Sequence, residues 1–84
     1  MINVLYFASL KESVGTAAET IELEAGISDI QSLRRWISQR GEPWASSLGE
    51  QRRLMASVNQ EMARPETTVE DGDEVAFFPP VTGG

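Results

Sequence analysis

Ser28-Asp29-Ile30-Gln31-Ser32-Leu33-Arg34-Arg35-Trp36-Ile37-Ser38-Gln39-Arg40-Gly41 decides the architecture, because it reads as one helix with strand-like sequence on either side. Ser28 is placed to cap the free N–H groups, and Gln31 stands three residues on, as a capping box requires. Asp29 suits the positive end of the helix dipole. Ile30, Leu33 and Ile37 fall on one stripe, with Trp36 at its flank. Arg34, Arg35 and Arg40 lie towards the C-terminal half, where cations are favoured, and Gly41 is placed to end the helix.

Upstream of this helix, Ile2 to Ser9 is apolar on both parities, which predicts a central strand with both faces partly covered. Leu10 to Thr16 reads as a loop or a short turn of helix. Thr20 to Glu24 alternates Ile21 and Leu23 with polar residues, the pattern of an edge strand with one wet face. Downstream, Glu42-Pro43-Trp44-Ala45 opens a second short helix, with proline at its first position and an end near Gly49. Leu54 to Val58 alternates as a strand, and Asn59-Gln60-Glu61 turns the chain. Thr67 to Glu70 reads as a short extended piece. Asp71-Gly72-Asp73 is a strong turn signal ahead of the strand Glu74-Val75-Ala76-Phe77-Phe78. Pro79-Pro80 cannot donate ladder hydrogen bonds, so the sheet stops there.

The order is strand, strand, helix, strand, strand. A helix between two hairpin-like halves lies across one face of a mixed sheet, with the first and last strands as parallel neighbours. The expectation is an α+β, ubiquitin-like β-grasp domain over residues 1–78, followed by an extended tail over 79–84.

Composition narrows the function. The chain has 84 residues, 40% of them hydrophobic, which suits one small packed domain and leaves little room for a deep catalytic cleft. Thirteen acidic residues against seven basic ones give a net charge of −6. That disfavours nucleic acid as a partner, because phosphate neutralisation needs clustered Lys and Arg. There is no cysteine and no histidine. Thiolate nucleophiles, disulfides, Ser-His-Asp triads and His- or Cys-ligated metal are thereby excluded, and no metal site is expected. The N-terminus has no basic segment followed by an apolar one, and no stretch has the length to span a bilayer, so no membrane partner and a cytoplasmic location are expected.

Six residues follow Phe78 and can reach roughly 20 Å when extended. The prolines stiffen the base of that arm, and Gly83-Gly84 let partner backbone close tightly around it. A frayed terminus is the plainer reading of the same residues. Strand parity adds a second feature. If Val4, Tyr6, Val75 and Phe77 face the helix, then Leu5, Phe7, Ala76 and Phe78 face outward. Parallel neighbours would bring Phe7 and Phe78 together beside the tail, as a docking patch that Met62 extends. Reversed parity would instead bury both rings.

The run from Asp71 to Gly84 resembles the C-terminal signature of the small, sulfur-carrying subunit of molybdopterin synthase. Ile2-Asn3-Val4-Leu5-Tyr6-Phe7-Ala8, Val14-Gly15-Thr16 and Ala56-Ser57-Val58-Asn59-Gln60 resemble that family too. The resemblance implies that an adenylating enzyme of the ubiquitin-activating type uses ATP to activate the Gly84 carboxylate. A sulfurtransferase system would then leave a thiocarboxylate there. It implies that Pro79, Pro80, Val81, Thr82 and Gly83 thread into the large subunit, in a heterotetramer, where the sulfur passes to a cyclic pterin phosphate. It also implies that Phe7, Met62 and Phe78 dock on that subunit, and that this chain binds no cofactor of its own.

Other features stay open at this level. Glu66, Glu70, Asp71, Asp73 and Glu74 are either a solvated turn or a steering charge for a basic partner. Trp36 and Trp44 read as shields over the helix and the segment that follows it, and Arg34-Arg35 and Arg52-Arg53 as solvated faces. Carriers for thiamine or tRNA thiolation, a lysine-attached protein modifier, and a plain binding domain remain as alternatives.

Overall fold

A computed structural model describes residues 1–80. Its elements are β1 (Ile2–Tyr6), α1 (Ala8–Val14), β2 (Ala18–Ile21), α2 (Ile30–Ser38), α3 (Trp44–Leu48), β3 (Met55–Val58), β4 (Glu61–Ala63) and β5 (Glu74–Phe78). The strands form one sheet in the order β2-β1-β5-β3-β4. β1 and β5 are parallel at its centre and the other pairs are antiparallel. The expected β-grasp architecture is present.

The stripe of α2 packs as its spacing predicts: Ile30, Leu33 and Ile37 are buried together with Ile2, Val4, Tyr6, Val75 and Phe77 from the sheet. The capping box sits one residue later than expected. Asp29, in extended conformation, accepts from the Ser32 N–H at 2.8 Å, and the Ser32 hydroxyl accepts from the Asp29 N–H at 3.0 Å. Aspartate and serine complete the reciprocal pair that Ser28 and Gln31 were expected to make, and a bond from the Ser32 hydroxyl to the Asp29 carboxylate at 2.7 Å, with the one from the Ser32 N–H, holds that carboxyl below its usual range.

Other boundaries differ. The segment expected as a loop or a short turn of helix is the seven-residue helix α1, which buries Leu10 and Val14 and ends at Gly15 in the left-handed region, at φ 81°. Ala8, at φ 56°, turns the chain out of β1 before Ser9. β2 starts two residues earlier and ends three earlier than its alternation suggests, since Ala18 pairs with Leu5 and Ile21 with Ile2. The turn after β3 is shorter than expected. Asn59 and Gln60 alone occupy it, both at positive φ, so Glu61 already re-enters the sheet in β4. Thr67 to Glu70 makes one bridge, Thr68 to Asp29, and is no strand. Pro43 precedes α3 as its N-cap residue rather than opening it, and the Glu42 carboxylate accepts from the Ser46 N–H at 2.9 Å.

A polar cluster ties the helices to the sheet edge. Tyr6 donates its hydroxyl to Glu19 at 2.6 Å, and Arg40 grips the same carboxylate through both amino groups, at 2.9 and 2.7 Å. The Arg40 guanidinium lies 4.2 Å from the Trp44 ring centroid and 5.3 Å from that of Trp36. The tryptophans therefore shield an ion pair as well as the helix. Burial pushes the Glu19 carboxyl up, but the hydrogen bonds from Arg40 and Tyr6 and the charge on Arg40 outweigh it and hold the group below its usual range. Arg34 also departs from expectation. Far from being solvated, it donates to the carbonyls of Leu48, Gly49 and Arg52 at 2.8, 2.7 and 2.5 Å, closing the segment after α3.

Candidate functional site: the open sheet face and the base of the tail

The helix α2 covers one face of the sheet and leaves the other open. Registers define what that open face presents. Ala18, Leu5, Ala76, Ser57 and Met62 align in one row across all five strands. The next row, towards the C-terminal end of β5, holds Met55 opposite Phe78. Phe7 follows directly on the pair Tyr6–Phe77, and its N–H donates to the Phe77 carbonyl at 3.2 Å. Phe7 and Phe78 are therefore at the same end of adjacent strands.

Burial settles the parity. Tyr6 and Phe77 are sealed in the core, whereas Phe7 is 49% exposed, Met62 62% and Met55 38%. Phe78 and Leu5 are half-buried, and Ala76, though on the open face, is hidden beneath its larger neighbours. The result is an apolar surface of two aromatic rings, two methionines and a leucine, adaptable at its thioethers and rigid at its rings. Met55 was not singled out from the sequence. The alternation of Leu54, Ala56 and Val58 with Met55 and Ser57 was the available signal, since it places Met55 and Phe7 on one face.

The tail starts at this patch. β5 ends at Phe78, and the half-buried Pro79 and Pro80 follow outside the sheet. Val81, Thr82, Gly83 and Gly84, assigned to threading and activation, lie outside the described residues. The acidic turn is at the other end of the sheet. Asp71 takes the Met1 amino group, and Asp73 accepts from the Asn59 amide at 3.0 Å, both next to the start of β5. With about 3.3 Å per residue, a five-residue strand separates Asp73 from the tail base, so these carboxylates do not flank the exit.

A family model described as the ThiS family matches residues 4–84. The chain belongs to the ThiS family. Two curated relatives, each named molybdopterin synthase sulfur carrier subunit, align over 84 residues with complete coverage of both chains. The one from Haemophilus influenzae is 43% identical and the one from Escherichia coli 45%. Among solved structures, a chain of the protein–protein complex of subunits 1 and 2 of molybdopterin-converting factor from Helicobacter pylori matches with a TM-score of 0.63 at 24% identity. That match covers 99% of this chain and 97% of the other, and it bears on the fold.

Among the described residues, no group of three or more acidic side chains is placed to hold a metal ion, and histidine and cysteine are absent from the sequence. Three ionisable groups with shifted titration, Tyr6, Glu19 and Arg40, bond to one another inside the fold.

Proposed function

We propose that this chain is the sulfur-carrying subunit of a molybdopterin synthase. The full-length correspondence to relatives of that name carries the reading, and the apolar patch at the foot of a tail ending in Gly83-Gly84 supports it. The Gly84 carboxylate attacks the α-phosphorus of ATP on a separate adenylating enzyme, releasing pyrophosphate. A sulfur nucleophile then displaces AMP from the acyl-adenylate, leaving a thiocarboxylate. A carboxylate is a poor electrophile, and adenylation supplies a leaving group that the carrier need not help expel. The thiocarboxylate is a strong nucleophile and does the work that a cysteine thiolate does elsewhere. A carrier without cysteine cannot divert its sulfur into an internal disulfide.

The large synthase subunit receives the tail, with Phe7, Phe78, Met55 and Met62 seated against it. The Helicobacter pylori complex of subunits 1 and 2 supports a partner of this kind. Assembly as a heterotetramer, a cytoplasmic location and the use of ATP by the activating enzyme belong to the same reading. Intact-mass measurement of the chain from sulfur-replete cells tests it. A species heavier by the exchange of one oxygen for sulfur, lost when Gly84 is deleted, is expected. A single unmodified mass in cells that make molybdopterin would overturn it.

A further inference from the structure

A groove of about 230 Å³ opens where α2 meets the end of the sheet at which the tail departs. Ile30, Leu54, Ala56, Ala63 and Phe77 form its apolar lining, and Arg34 and Arg64 stand on its walls. The two arginines differ in freedom. Arg34 is fixed by its bonds to three backbone carbonyls, none of which involves its Nη1 amino group. Arg64 is exposed. Arg52 and Arg53 immediately precede Leu54, so four of the seven basic residues of a chain with net charge −6 gather at this corner. Glu50, close enough to Arg34 to act on its charge, offsets part of that excess.

The groove borders the open face at one residue. Met55 lines the groove and pairs across strands with Phe78, so the aromatic patch and the groove meet at the N-terminal end of β3. We propose that the groove receives a segment of the large synthase subunit that presents one bulky apolar side chain flanked by a carboxylate. The side chain fills the space above Ala56 and Ala63, and the carboxylate meets Arg64 and the free edge of Arg34. The proposal rests on the carrier reading above. It adds a second anchor, on the helix side of the sheet edge, to the aromatic patch on the open face.

Titration calorimetry of the full chain against the large subunit tests this, with thermal unfolding of each variant alongside. Ala63→Trp fills the groove and is expected to weaken binding about tenfold, the scale of a lost interface anchor. Arg64→Glu is expected to weaken it about fivefold at low salt, with the difference shrinking as salt rises. Phe78→Ala serves as the control for the carrier reading. If Phe78→Ala weakens binding while both groove variants bind like the wild type, the groove proposal falls and the carrier reading stands. If all three bind like the wild type, both fall. Should Ala63→Trp fail to fold, Arg64→Glu decides the matter alone.

Discussion

Phe77 and Phe78 are consecutive residues of one strand with opposite fates: Phe77 is sealed under α2, and Phe78 lies on the open face against Met55. Strand parity makes the division. It also places neighbouring rings of the same size in the core and on the surface independently.

Phe77→Ala should therefore destabilise the domain by about 3–5 kcal/mol, the usual cost of emptying a buried aromatic site. Phe7→Ala should change stability by less than about 1 kcal/mol yet weaken the large-subunit complex by about 2 kcal/mol. Chemical denaturation and calorimetry on the two variants check both halves. Loss of stability in Phe7→Ala comparable to that of Phe77→Ala would mean that the open face is structural.

Replacing Pro79 and Pro80 together with alanine should leave the fold intact, because both stand outside β5. The freed residues then have to be ordered on binding, at about 1 kcal/mol each. Weaker affinity for both the adenylating enzyme and the large subunit is expected by titration calorimetry. Unchanged affinity for both would show that the prolines only end the strand.

Glu19 supplies a pH signature. Its carboxyl is held below the usual value of 4.5, so the folded state binds its proton less readily than the unfolded chain does. The stability it contributes is complete above pH 4.5 and is lost as the pH falls through the lower, folded value. Glu19→Gln should flatten that part of the acid limb in denaturation curves taken from neutral pH downward. It should also cost roughly 1–3 kcal/mol at pH 7, because Arg40 and Tyr6 lose a partner that is largely out of water. An acid limb identical to wild type would show that other carboxylates set it.

Gln60 sits at φ 71° in the two-residue turn between β3 and β4. Asn-Gly is the favoured pair for such a turn, so Gln60→Gly should raise stability by about 0.5–1 kcal/mol. A higher midpoint in urea at unchanged slope is the expected result, and a lower one would mean that the Gln60 side chain supports the hairpin.

Much of this was legible because burial imposes short periods. The 3.6-residue stripe of Ile30, Leu33 and Ile37 and the two-residue alternation in Glu74–Phe78 needed no tertiary information, and together they defined the helix, the central strand and the face left bare. What escaped depended on backbone conformation or distant partners. Positive φ at Asn59 and Gln60 is not a property that glutamine advertises, so β4 was hidden in an apparent turn. Asp29 outcompeted Ser28 for the cap through Ser32, a choice settled by a one-residue shift in where the chain turns helical. Arg34 seemed solvated because its three carbonyl partners come from residues 48–52, which carry no pattern of their own. The groove escaped for the same reason, as its lining comes from α2, β3, β5 and the end of β4 at once.

The last strand in chain order is a central one. β5 fills the gap between β1 and β3. A chain cut short before Glu74 would hold a β1–β2 pair and a β3–β4 hairpin with nothing to join them, and such contacts between distant residues form late and slowly. Completing the sheet and producing the residues that follow it are then the same event. An unfinished or unfolded copy has no aromatic patch to show, because Phe7 and Phe78 become neighbours only when β1 and β5 zip together. Partners that grip both the patch and the tail would thus take up only finished molecules, a proofreading step that no separate device has to perform.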